Sequence, residues 1–288
     1  MKEELQKSIR NRSRIIRDPA GREVPVLEEK EALDISRGHG IPLSQVYVAA
    51  LRLGVCPYRY LRNREILSLE EQLKLAESRV AVIGAGGLGG WVISLLGRAG
   101  VGHLVVVDSD AFDETNLNRQ AFSHARNLGK SKAGEARRQM KRINPGIEVS
   151  AHHIRLDQSN GKALLAGCRV IVDALDNVES RLVLEAAAQA LAVPLVHGAL
   201  AGFEGQVMTL LPGDDGLRQL YGKGEKDKED PIRPEAVLGV PGITPAVIGA
   251  FEAMEAIKIL LNRGSLFRNS MMYMDLERGE INRFRFAG

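Results

Sequence analysis

Residues 79–108 read R-V-A-V-I-G-A-G-G-L-G-G-W-V-I-S-L-L-G-R-A-G-V-G-H-L-V-V-V-D. An apolar run, a glycine turn, an amphipathic segment and a second apolar run ending in an acid spell strand, turn, helix, strand. Gly84, Gly86 and Gly89 stand at G-x-G-x-x-G spacing directly after the strand 80–83. That spacing lets the backbone turn tightly, approach a phosphate and start a helix whose N-terminus faces the anion. Asp108 ends the second strand about twenty residues later, where a carboxylate accepts hydrogen bonds from a ribose. The stretch predicts a nucleotide site and leaves the nucleotide open.

Upstream, residues 27–36 and 43–53 have helical spacing around the breaker cluster 37–42 (R-G-H-G-I-P), so residues 1–57 read as a small helical module. The module lacks a basic recognition face and so does not read as a DNA-binding helix-turn-helix. A basic segment, Y-R-Y-L-R-N-R at 58–64, and a helix over 67–77 lead into the glycine-turn strand. Downstream, the polar loop 109–120 is followed by a basic helix to about Ile143, closed by Asn144-Pro145-Gly146. Strands at 148–154, 170–174 and 193–197, with a helix over 181–190, complete a doubly wound, mostly parallel Rossmann-like α/β sheet. Antiparallel strands at 206–211, 271–274 and 282–286 extend it. The charge run 223–230 reads as a solvated loop. A long helix from Thr244 to about Asn262 carries Val247, Phe251, Met254, Ile257 and Leu261 on one face, for core or subunit contact. Trp91 is expected to pack the first helix against the sheet.

Composition narrows the function class. The chain has 288 residues, 44% apolar and 26% charged, as an ordinary globular protein does. A net charge of +3 gives no argument for nucleic acid. No apolar stretch approaches the ~20 residues that span a bilayer, and the acidic start M-K-E-E-L lacks a signal-peptide core, so a cytoplasmic location is expected. Cys56 and Cys168 stand apart in no C-x-x-C pair, which gives neither a disulfide framework nor a four-thiolate zinc site.

A nicotinamide-dependent dehydrogenase would show the same turn and the same acid. Chemistry at the phosphates of a nucleoside triphosphate needs several cations and a magnesium-binding carboxylate instead. Arg119, Lys132 and Asp176 supply these types from the ends of successive predicted strands or the loops after them. A dehydrogenase needs a proton donor at the nicotinamide, and His197 is the best candidate, with nothing around it to suggest the role.

In these motifs the sequence resembles the ThiF/MoeB/HesA adenylating enzymes, relatives of the ubiquitin-activating enzymes. The resemblance covers 59–286 and is carried by R-Y-L-R-N, G-A-G-G-L-G, D-S-D at 108–110, N-L-N-R-Q at 116–120, G-K-S-K ending at Lys132, D-A-L-D-N-V-E-S-R at 173–181, G-A-L-A-G-F-E-G-Q at 198–206 and M-E-A-I-K at 254–258. It implies an ATP-binding adenylation domain over 58–288. The activity would be ATP-dependent activation of the C-terminal glycine of a small ubiquitin-like sulfur carrier ending in Gly-Gly, of the molybdopterin or thiamine type, with release of pyrophosphate. Gly84, Gly86, Gly87, Leu88 and Gly89 would lie beneath the nucleotide, with Asp108 on the ribose and Asp110, Gln120 and Asn177 lining the pocket. Asn116, Arg119 and Lys132 would contact the phosphates, and Asp176 would bind Mg2+. Arg62 would cross a homodimer to the partner's ATP, so the expected catalytic set is Arg119, Lys132, Asp176 and Arg62.

The departures from the family are as informative. The two C-x-x-C pairs that commonly hold a structural zinc are missing, so no zinc is expected. Where some members carry a cysteine used after adenylation, shortly before Gly239, Glu235, Ala236 and Val237 stand. Adenylation alone is expected, with sulfur transfer left to another protein. Other readings stay open: activation of a peptide, small-molecule or nucleoside carboxylate, or a non-catalytic ATP-binding protein. Individual residues also have plainer readings: Lys132 and Arg119 as surface cations, and Asp173 and Asp176 as helix caps.

Overall fold

The structure is a computed structural model that describes residues 2–222 and 234–286. The charge run 223–230 lies outside the described residues. The N-terminal module contains α1 (Lys2–Arg12), β1 (Arg14–Arg17), β2 (Glu23–Leu27), α2 (Glu29–His39), α3 (Leu43–Arg52) and β3 (Cys56–Pro57). Helices α2 and α3 match the two sequence-predicted helices. The structure adds a third helix, α1, and corrects the purely helical reading with a three-stranded sheet in the order β1-β2-β3. Strand β1 is only R-I-I-R and β2 contains Pro25, so neither presents the long alternation that announces a strand. Ile9, Val24, Val26, Val46, Tyr47 and Cys56 form the module's own core.

The remaining chain runs through a 3-10 turn at Tyr58–Asn63, α4 (Leu69–Ala76), β4 (Arg79–Ile83), α5 (Gly87–Ala99), β5 (His103–Val107), a 3-10 turn at Glu114–Asn116, α6 (Lys132–Ile143), β6 (Glu148–His152), α7 (Gly161–Leu165), β7 (Val170–Asp173), α8 (Val178–Leu191), β8 (Leu195–Ala201), β9 (Glu204–Leu210), α9 (Arg218–Tyr221), α10 (Pro234–Leu238), α11 (Ile243–Leu261), β10 (Ser270–Asp275) and β11 (Glu280–Arg285). Among the described residues its eight strands lie in the order β11-β10-β9-β8-β7-β4-β5-β6. Strands β6, β5, β4, β7 and β8 are parallel, and β9, β10 and β11 continue the sheet antiparallel. This is the doubly wound sheet with an antiparallel extension that the sequence predicts.

The central strands are buried on both faces. Val80, Val82 and Val106 join the cluster under α5, α6 and α11, and Ala81, Ile83, Val105 and Val107 join the cluster under α8. The strand order reverses at β4, with β5 on one side and β7 on the other, and ligands of open α/β sheets bind outside the carboxyl ends at such a switch point. Trp91 lies beside α11, where a Cβ built on Gly249 would come within 3.1 Å of its own Cβ. The 3-10 turn that follows the module is tied to the far end of the sheet, where Asn144 Nδ2 donates to Tyr60 Oη and to Gly97 O, each at 2.8 Å.

Candidate functional site

The site begins at the turn from β4 to α5. Gly84 has φ +97°, and a Cβ there would meet Ala174 O at 2.4 Å; one on Gly89 would meet Gly84 O at 1.9 Å. Both positions demand glycine because backbone, not a movable side chain, occupies the space. Gly86 and Gly87 differ: the nearest atoms to their added Cβ are side-chain atoms of Gln120 and Arg119 at 3.6 Å. The turn is therefore closed behind, at Gly84 and Gly89, and open in front, at Gly86. Leu88, in the first turn of α5, is buried.

Asp108 joins this turn to β5. Its carboxylate accepts the Ala85 N–H and the Asp110 N–H, each at 2.7 Å. Burial pushes its pKa up from the usual carboxylate value, and the two backbone donors oppose that shift. Lys132 is the first residue of α6 and is buried, its Nζ donating to Asp110 Oδ2 at 2.9 Å. The surface-cation reading of Lys132 is thus replaced by a buried one.

The loop 113–120 covers the front. Arg119 is half-buried and its Nη1 donates to Thr115 O at 2.8 Å and Asn118 Oδ1 at 2.9 Å, beside Gly87. Gln120 is buried over Gly86, and its Oε1 has no hydrogen-bond partner among the described residues. A buried amide oxygen without a protein partner beside an open glycine is left to be met by a ligand or by water. Asn116 is buried, and its Oδ1 accepts the Asp113 N–H at 3.1 Å in a capping box of the 3-10 turn, which shapes the loop that carries Arg119.

At the end of β7, Asp176 is exposed and accepts Asn177 Nδ2 at 3.1 Å. Asn177 is the cap of α8, its Oδ1 accepting the Ser180 N–H at 2.9 Å. Neither Asp173 nor Asp176 caps that helix. Asp173 is fully buried and paired with His197, which is also fully buried and so is no solvent-facing proton donor. The donor set fits magnesium, which keeps several waters and is bound through one or two carboxylates plus substrate phosphates. Among the described residues no group of three or more His, Cys, Asp or Glu gathers to hold a metal. Cys56 and Cys168 are buried in separate clusters.

Arg62 lies apart from the others. It is exposed on the 3-10 turn whose Tyr60 abuts Gly100, at the C-terminal end of α5. Thirteen residues of helix separate that end from the glycine turn, a span of about 20 Å. The site of its own chain is beyond its reach.

Residues 60–288 match the ThiF family. The SAMP-activating enzyme E1 of Haloferax volcanii is 38% identical over 206 residues, 72% of this chain and 76% of the relative. The sulfur carrier protein adenylyltransferase of Thermus thermophilus is 37% identical over 212 residues, 72% of this chain and 78% of the relative. Among solved structures, E. coli MccB with ATP superposes with a TM-score of 0.67 at 18% identity, over 90% of this chain and 79% of that one. At that identity the likeness is one of fold. No helix among the described residues is long and apolar enough to cross a membrane.

Proposed function

The chain belongs to the ThiF family and is an adenylyltransferase, and we propose that it activates the C-terminal glycine carboxylate of a small ubiquitin-like sulfur carrier. The observation that carries this reading is that the open glycine turn, buried Lys132 through its partner Asp110, and exposed Asp176 all follow the carboxyl ends of the adjacent parallel strands β4, β5 and β7. The names of the Haloferax and Thermus relatives support a carrier as the substrate.

In the proposed reaction a carboxylate oxygen of the carrier attacks the α-phosphorus of ATP. The new C–O–P bond forms as the α–β phosphoanhydride bond breaks, and pyrophosphate leaves with the electron pair. Two anions approach each other, so the protein contributes positioning and positive charge rather than a strong base. Lys132 and Arg119 supply cations, Lys132 exchanging Asp110 for a phosphate oxygen. Asp108 orients the ribose, and the backbone N–H groups at the start of α5 face the phosphates. Asp176 would hold magnesium, which adds neutralising charge on the pyrophosphate leaving group when bound.

The second site element comes from a second copy. Arg62 is exposed at the wrong end of α5 for its own nucleotide, and Met254 and Ile66 are exposed apolar residues, 49% and 66% accessible. These features support a homodimer in which Arg62 completes the partner's site. The test of substrate is direct: incubation with ATP, Mg2+ and a panel of carriers ending in Gly-Gly, followed by mass spectrometry of the carrier. An AMP-modified C-terminus on one carrier is expected; AMP found only on a peptide or small carboxylic acid would contradict the carrier assignment.

A further inference from the structure

Behind the exposed Asp176 lies a closed circuit of buried polar groups. His197 Nδ1–H donates to Asp173 Oδ2 at 2.8 Å. That bond fixes the tautomer, so His197 Nε2 is the acceptor for the Tyr221 hydroxyl at 3.1 Å. Burial holds the imidazole pKa below its usual value, so the ring is neutral at neutral pH. Tyr221 Oη in turn accepts from Arg181 Nη1 at 2.8 Å, and the guanidinium stacks over the tyrosine ring with its carbon 5.6 Å from the centroid.

Both ends of the circuit finish on Leu175. Asp173 Oδ1 accepts the Leu175 N–H at 3.0 Å, and Arg181 Nη2 donates to the Leu175 carbonyl at 2.7 Å. That carbonyl belongs to the peptide that joins Leu175 to Asp176. The backbone on the amino side of Asp176 is therefore gripped on two sides by charged groups, one anionic and one cationic, and Asn177 Nδ2 holds the carboxylate on the other side. A charged donor or acceptor gives bonds about twice as strong as neutral ones.

We propose that Asp173, His197, Tyr221 and Arg181 are positioning residues that fix the Leu175–Asp176 peptide and so aim the Asp176 carboxylate at magnesium–ATP. The inference rests on the reading of Asp176 as the magnesium-holding residue. It adds a role for four side chains that meet neither nucleotide nor metal. Outer-shell partners of this kind are worth about 10- to 100-fold in metal affinity.

The test is calorimetric binding of ATP to the full chain, with and without Mg2+, which needs no turnover. Asp176→Asn sets the reference by removing the gain in affinity that Mg2+ gives. Arg181→Met is expected to reduce that gain about 10-fold while ATP binding without Mg2+ stays within about twofold. Tyr221→Phe is the milder variant should Arg181→Met fail to fold, and it is expected to reduce the gain in the same direction. Combining Tyr221→Phe with Asp176→Asn is expected to add nothing to Asp176→Asn alone, since both act on one carboxylate. A folded Arg181→Met or Tyr221→Phe protein that keeps the full magnesium gain, or effects that add, would overturn the proposal alone. An Asp176→Asn protein that keeps the full gain would overturn the metal assignment as well.

Discussion

Lys132 Nζ lies 2.9 Å from Asp110 Oδ2, a pair in which the lysine side chain is 9% exposed and the aspartate 64%. The asymmetry separates stability from activity. Removing the lysine leaves an anion that water already solvates, at a cost of about 1 kcal/mol or less. Removing a cation aimed at developing phosphate charge costs about 3 kcal/mol, or roughly 100-fold in rate. Lys132→Ala is therefore expected to lose adenylation by about that factor with little change in Tm. Thermal unfolding and ATP turnover measured on one preparation check both halves.

The glycine turn makes a paired expectation. Gly89→Ala drives a methyl into the Gly84 carbonyl, with the Ala174 Cβ beside it, and overpacking of that kind costs about 1–3 kcal/mol or more. Gly86→Ala has space toward Gln120 and meets nothing closer than 3.6 Å. The first variant should be poorly folded. The second should keep the wild-type Tm and bind ATP weakly, because its methyl enters the opening. Calorimetry and thermal unfolding of the two proteins distinguish a structural glycine from one that makes room for a ligand.

Glu252 on α11 is fully buried, its carboxylate oxygens lack hydrogen-bond partners among the described residues, and its pKa stands well above 4.5, chiefly through burial. An acid whose folded pKa is raised binds its proton more tightly in the native state, so stability falls as pH rises from about 4.5 toward the folded value. A tenfold gain in proton affinity on folding corresponds to about 1.4 kcal/mol of such pH-dependent stability. Glu252→Gln removes this titration at nearly constant shape. Its Tm relative to wild type should rise as pH is raised from 4 to 8; a gap independent of pH would mean that Glu252 is not protonated in the native state.

Arg62 and Lys132 belong to different copies in the proposed dimer. Arg62→Ala and Lys132→Ala proteins, each weak alone, should regain activity when unfolded together and refolded as a mixture. Half of the dimers would be hybrids with one intact site of two, so recovery of about a quarter of wild-type activity is expected for a two-fold symmetric assembly. No recovery in a mixture shown to contain hybrids would place Arg62 outside the partner's site.

Much of this architecture was legible because glycine, apolar runs and a terminal acid are local signals. Gly84 to Asp108 encodes its turn, helix and strand within a few turns of sequence after the apolar run 80–83, and Lys132 sits just past the capping Ser131 that announces α6. The N-terminal hairpin was not legible, since β1 is four residues flanked by arginines and α1 offers only Leu5 and Ile9 as apolar anchors. The circuit behind Asp176 was hidden for a different reason. Asp173 and His197 become neighbours only through the parallel register of β7 with β8, and Tyr221 arrives from a short helix beyond the sheet. The aspartates of D-A-L-D-N were visible as types, but only the pairing separates the buried anchor Asp173 from the exposed Asp176.

The most direct measurement of the central claim is isotope exchange between pyrophosphate and ATP, with Mg2+, first on the protein alone and then with each of a panel of carriers ending in Gly-Gly. Exchange that requires one carrier, and that is lost in Lys132→Ala, is the expected result, because reversible adenylation needs the attacking carboxylate. Exchange without any carrier, or none with all of them while ATP still binds, would contradict the account and move the activity to a different carboxylate or out of catalysis.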